Sequence, residues 1–188
     1  MEITAKTSLQ ELAAIVSEAL ERHGIIATLS GGAAVSLYTN NRYMSEDLDF
    51  VTSALVRELA GALAPLGFVH SGRPRMSVFT HPSTRWYLEF PPAPISFGSR
   101  YINPEECALM PTPIGNVRLI TPTHSVMDRL IAAAVWQEPQ SMQQAVMVAE
   151  AQADKIDWPF LKQWVLEEGI AQDRNVQVFF SRFGQECG

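Results

Sequence analysis

Residues 47–50 read Asp47-Leu48-Asp49-Phe50, a carboxylate alternating with an apolar side chain. Side chains two apart on a β-strand share a face, so this spacing turns Asp47 and Asp49 together and sends Leu48 and Phe50 towards a core. Two carboxylates held side by side repel, and a bridging divalent cation relieves the repulsion. An all-oxygen ligand set with open positions suits Mg²⁺ shared with substrate phosphates, and not Zn²⁺. Upstream, Leu29-Ser30-Gly31-Gly32 places two glycines between an apolar run and a short helical pattern. Backbone N–H groups in such a turn approach a phosphate closely, near the positive end of a helix dipole. Together the two segments describe a site for a metal and a nucleoside triphosphate.

The elements that must position these residues follow from periodicity. Ser8 and Glu11 have capping-box spacing, and Leu9, Leu12, Ala13, Val16 and Leu20 then recur at helical intervals until Gly24. The run Ile25 to Leu29 predicts a buried strand, and Ala33 to Tyr38 a short helix. After a polar stretch comes the Asp47 strand. A second amphipathic helix, capped by Thr52 or Ser53, then carries Leu55, Leu59 and Leu63 as far as Pro65 and Gly67.

From Phe68 to Ile120, short β-prone runs (FVHS, MSVFT, TRWYLEF, ISFG and VRLI) predict hairpin-connected strands extending one sheet. Thr121-Pro122 opens a helix with Val126, Leu130, Ala133 and Ala134 along one side. Further helices are expected over Gln140 to Ala153, Asp157 to Glu168 and Asp173 to Phe183, with Asp157 and Asp173 as N-caps. The expected class is α+β, a mixed sheet with flanking helices followed by a C-terminal helical bundle. The boundary divides residues 1–120 from residues 121–188.

Composition bounds the function. The chain has 188 residues, of which 47% are hydrophobic and 18% charged, so it folds around a core and is not a disordered segment. Its net charge of -6 and lack of a Lys/Arg block argue against an extended nucleic-acid surface. Cys107 and Cys187 form no paired motif and read as ordinary thiols of a reducing compartment. The N-terminus lacks the pattern of a secretion signal, and no apolar run reaches the ~18 residues of a membrane span. A cytoplasmic protein without membrane association is expected.

The block from Leu29 to Phe50, LSGGAAVSLYTNNRYMSEDLDF, resembles the nucleotidyltransferase superfamily with the DNA polymerase β fold, and within it the AbiEii-like toxin and minimal nucleotidyltransferase branch. The shared signature is a strand, Gly-Gly or Gly-Ser, a short helix, then Arg-x-x-Ser-x-Asp-hydrophobic-Asp. Here Arg42, Ser45, Asp47 and Asp49 fill the second part. The resemblance implies transfer of a nucleoside monophosphate from an NTP, with Mg²⁺ or Mn²⁺, to an acceptor hydroxyl on RNA, protein or a small molecule. Asp47 and Asp49 would be metal ligands, joined by a third carboxylate that also serves as or positions the base. Glu89, the only acidic residue between Phe68 and Ile102, matches that place.

The resemblance further implies that Ser30, Gly31 and Gly32 cradle the phosphates, and that Arg42, Ser45 and Arg129 contact them. Arg129 stands where similar proteins often carry a Lys, and Gln140 and Ser141 stand where an acidic motif is usual. A toxin-like role with a cognate antitoxin partner is implied by the resemblance alone. The departures at Glu89, Arg129 and Gln140 motivate a second reading, a non-catalytic nucleotide-binding or interaction module.

Other conspicuous residues receive structural readings. His23, His70, His81 and His124 lack metal-ligand spacing. Trp158, Trp164, Phe160 and Leu161 read as core or a helical interface, and Arg73-Pro74-Arg75 as a solvated basic turn.

Overall fold

The Ser8–Glu11 capping box forms as the sequence requires. The Ser8 hydroxyl accepts the Glu11 N–H at 3.2 Å, and the Glu11 carboxylate accepts the Ser8 N–H at 2.8 Å, opening α1 (Leu9–Arg22). The computed structural model describes residues 2–72 and 77–187, so the Arg73-Pro74-Arg75 turn lies outside the described residues. After α1 come β1 (Ala27–Ser30), α2 (Gly31–Tyr38), β2 (Asp47–Thr52) and α3 (Val56–Leu63). The strands β3 (Val69–His70), β4 (Val78–Thr80), β5 (Tyr87–Glu89), β6 (Ile95–Phe97), β7 (Arg100–Ile102), β8 (Ala108–Pro111) and β9 (Asn116–Leu119) follow. The chain then turns helical: α4 (Pro122–Ala134), α5 (Pro139–Ala151), α6 (Trp158–Glu167) and α7 (Arg174–Arg182).

Seven strands form one mixed sheet in the order β3-β4-β5-β2-β1-β9-β8. β1 and β2 are antiparallel and enclose α2, whereas β5 runs parallel to β2 and β9 parallel to β1. Register is fixed by the alternation in β2, whose Leu48 and Phe50 are 0% and 1% exposed while Asp47 and Asp49 lie on the half-buried face. It pairs Ser30 with Asp49 and Asp49 with Glu89, a row across three adjacent strands, and sets Asp47 opposite Tyr87.

Two local expectations are corrected. α3 does not start on a Thr52 or Ser53 cap. Thr52 ends β2 with its hydroxyl donated to the Ile26 carbonyl at 2.7 Å, and Glu58 accepts the Leu55 N–H at 2.8 Å to open the helix at Val56. The β-rich stretch does not extend one sheet by hairpins throughout. β6 and β7 pair with each other in a separate two-stranded sheet. Pro91, Pro92 and Pro94 precede them, and proline has no N–H to continue a ladder.

α4, α6 and α7 cap as their sequence signals require. Thr121 accepts the His124 N–H at 3.1 Å, Asp157 the Phe160 N–H at 3.0 Å, and Asp173 the N–H groups of Asn175 and Val176 at 2.8 and 3.1 Å. One apolar cluster joins Leu29, Val35 and Leu119 with Val126, Met127 and Leu130 of α4 and Trp164 of α6. Polar ties reinforce it: Tyr38 donates to the Ile120 carbonyl at 2.7 Å, and Gln152 donates to the Tyr38 carbonyl at 2.9 Å. Trp164 and Leu161 are core residues, while Trp158 packs on Phe179, Phe180 and Phe183. No helix among the described residues is long and apolar enough to cross a membrane.

Candidate active site

The turn from β1 into α2 is built on glycines for want of space. Gly31 has φ +61°, in the left-handed region, and a Cβ there would run into the Asp49 carboxylate. A Cβ on Gly32 would stand 2.7 Å from the Ser45 hydroxyl and 3.2 Å from the Tyr43 hydroxyl. The glycine backbone therefore lies directly against the carboxylate face of β2.

The chain between α2 and β2 is fastened to the same spot. Ser36, fully buried, donates to the Gly32 carbonyl at 3.0 Å and accepts the Ser45 N–H at 3.0 Å. The Ser45 carbonyl accepts the Trp86 indole N–H at 3.1 Å, and its hydroxyl donates to Asp47 Oδ1 at 2.9 Å. Tyr87 donates to Asp47 Oδ2 at 3.3 Å, so both oxygens of that carboxylate are oriented by hydrogen bonds. A cavity of about 430 Å³, lined by Met44, Ser45, Glu46, Arg85 and Tyr87, lies beside these contacts.

Asp47, Asp49 and Glu89 converge: one oxygen from each lies within 4.8 Å of the others. Burial raises the Asp49 carboxyl to about 7, with further contributions from Asp47, Glu89 and Asp128 that Arg129 opposes. Burial and the Asp47 charge also raise Glu89. Burial and the same carboxylates push the Tyr87 phenol up to about 12. Three half-buried carboxylates, with Asp49 and Glu89 pushed towards their neutral forms, fit a divalent cation in both ligand chemistry and spacing.

The remaining candidates separate into two groups. Ser30, Gly31, Gly32 and Ser45 are at the carboxylates, and Arg129 lies close enough to act on Asp49. Arg129 also donates to Asp128 at 2.7 and 3.2 Å and to Gln144 at 3.1 Å. Arg42 is engaged elsewhere, pairing with Glu150 of α5 at 3.4 Å. Sequence reasoning missed Tyr87, Ser36, Asp128 and Gln144. Tyr87 was signalled, because it precedes Glu89 by two on a strand and so shares its face. Ser36, Asp128 and Gln144 carry no such local signal, since they meet the site only through tertiary packing.

No protein-family profile matches the chain, and no curated protein sequence matches it. Solved structures do. An antigenic nucleotidyltransferase-like protein from Paracoccidioides brasiliensis is 15% identical with a TM-score of 0.56, over 96% of this chain and 88% of that one. The antibiotic-resistance factor ANT(2'')-Ia is 15% identical with a TM-score of 0.54, over 88% of this chain and 97% of its own. The same factor in complex with adenylyl-2''-tobramycin is 14% identical with a TM-score of 0.54, over 93% and 98%. At these identities the likeness establishes the architecture: the chain has the mixed α+β fold of nucleotidyltransferases.

Proposed function

We propose that the protein is a metal-dependent nucleotidyltransferase that moves a nucleoside monophosphate from an NTP to an acceptor hydroxyl. The observation that carries this reading is the convergence of Asp47, Asp49 and Glu89 against the Gly31–Gly32 turn, in a chain with this fold. In the proposal, residues 1–120 supply the sheet and its carboxylates, and the helical region 121–188 supplies Arg129. Asp47, Asp49 and Glu89 would hold a divalent cation, Mg²⁺ or Mn²⁺, which when bound would offset charge developing on the phosphate oxygens.

The residues divide the remaining work. Backbone N–H groups at Gly31 and Gly32 bind phosphate oxygens at the start of α2, with the Ser30 hydroxyl beside them. Ser45 and Tyr87 hold both Asp47 oxygens in one orientation. Glu89, raised above the ordinary carboxylate range, accepts the proton of the attacking hydroxyl at its carboxylate oxygen. Arg129 contacts the triphosphate, and Arg42, engaged by Glu150, ranks behind it. The cavity lined by Ser45, Arg85 and Tyr87 adjoins the two side chains that orient Asp47 and offers an acceptor room there. Because ANT(2'')-Ia has been captured with an adenylylated small molecule, small-molecule hydroxyls head the acceptor list, before RNA and protein. The AbiEii-like placement and a toxin role rest on the motif from Leu29 to Phe50.

The test is label transfer from each of the four NTPs, with Mg²⁺ or Mn²⁺, to a cell extract and to a panel of small-molecule hydroxyls. The expected result is transfer by the wild type and none by Asp47→Ala/Asp49→Ala. Nucleotide binding with no transfer to any acceptor would replace this reading with the non-catalytic module.

A further inference from the structure

The Arg129 guanidinium is held by a frame that spans two helices. Its Nε and Nη2 both donate to Asp128 Oδ2, and its Nη1 donates to Gln144 Oε1 on α5. The Arg129 and Asp128 side chains are 13% and 15% exposed, and Gln144 is 3% exposed, an unusual burial for a glutamine. These three bonds occupy part of a fork that carries five N–H donors and leave the rest for a ligand. The Arg129 charge lies near enough to act on Asp49, and the Asp49 carboxylate stands against the Gly31 turn, so the guanidinium and the glycine turn are neighbours of one carboxylate.

We propose that Gln144 is a positioning residue: with Asp128 it fixes the Arg129 guanidinium so that its remaining donors meet the triphosphate beside the glycine turn, making nucleotide affinity depend on helix α5. This inference rests on the nucleotidyltransferase reading. It follows from the side-chain chemistry, because an arginine with four rotatable bonds loses conformational entropy on gripping a ligand unless it is held beforehand. Asp128 holds the Nε–Nη2 edge through the single oxygen Oδ2, about which the rigid guanidinium plane can still tilt at its Nη1 end. Gln144 fixes that end, and as a neutral amide it does so without adding negative charge next to phosphate.

The test is a binding cycle on the full chain. NTP affinity is measured by titration calorimetry with Ca²⁺ for wild type, Gln144→Ala, Arg129→Ala and the double variant, and Mn²⁺ binding is measured alone. Thermal melts confirm that each variant folds, and Gln144→Glu restores an acceptor at the same place. Gln144→Ala is expected to weaken NTP binding about tenfold, the loss of one hydrogen bond to a charged group. It should have no added effect once Arg129 is gone, should leave Mn²⁺ affinity within about twofold, and should be at least partly rescued by Gln144→Glu. If Arg129→Ala weakens NTP binding and Gln144→Ala does not, or if the two effects simply add, the inference is overturned while the proposed function stands. A wild type that binds neither Mn²⁺ nor any NTP overturns both.

Discussion

At Asp49, burial and three neighbouring carboxylates favour the protonated form in the folded protein. The carboxyl titrates near 4 when unfolded and at about 7 when folded, so between those values the native state holds the extra proton. Without metal, stability attributable to this residue should fall as pH rises from about 4 to 7 and stay low above that. A bound cation requires the deprotonated form, so stabilisation by Mn²⁺ should grow over the same interval. Melting temperatures at pH 5, 6.5 and 8, with and without Mn²⁺, test this, and Asp49→Asn should flatten both trends. Gly31→Ala places a methyl group against the same carboxylate at a left-handed φ, and should cost about 1–3 kcal/mol and abolish Mn²⁺ binding, read by melting and calorimetry. The shared face of Asp47 and Asp49 was legible because strand alternation is a local property, whereas the steric need for glycine at 31 was not, because it comes from a carboxylate on the neighbouring strand. The contacts of Ser36 and Gln144 were not legible either, because burial beside the site depends on which helix packs where.

At the scale of elements, one join of the site is that between α2 and β2. Ser36 ties the first turn of α2 to the chain entering β2, through the Gly32 carbonyl and the Ser45 N–H. Ser36→Ala leaves that buried N–H unpaired and should cost about 1–3 kcal/mol, seen as a lower chemical-denaturation midpoint, together with weaker Mn²⁺ binding as Ser45 loosens its hold on Asp47. The strands that carry the site were readable, since β2 is patterned by Leu48 and Phe50 and β5 by Leu88. The runs FVHS, MSVFT, ISFG and VRLI likewise became β3, β4, β6 and β9, whereas β7, β8 and the pairing of the strands were not readable. The pairing of β2 with β5 is parallel and joins residues far apart in sequence, which no local pattern specifies, and runs as short as Arg100–Ile102 and Ala108–Pro111 give too few alternations to mark a strand.

Across the whole molecule, the sheet and the helices after Thr121 share one buried cluster. Val126, Met127 and Leu130 are fully buried beside Leu29, Val35 and Leu119. A fragment of residues 1–120 should therefore lack a cooperative melt, whereas the full chain should unfold in a single transition, as calorimetry can show. By contrast, the exposed bridge in which Glu150 holds Arg42 at 3.4 Å and Arg182 at 2.7 Å should contribute no more than about 1 kcal/mol per pair, so Glu150→Gln should barely move the melt. The net charge of -6 gains a location as well: the convergent carboxylates are part of that excess, which the proposed cation would offset.

The indole of Trp86 donates to the Ser45 carbonyl, is 8% exposed, and lies under the Arg85 guanidinium at 5.0 Å. It is thus wired to the residue that orients Asp47 and adjoins Tyr87, while Trp136 is 63% exposed and Trp164 is buried among the helices. The protein carries its own optical gauge: titrating Mn²⁺ or Mg²⁺ should shift tryptophan emission, and Trp86→Phe should silence that signal while leaving the other indoles bright.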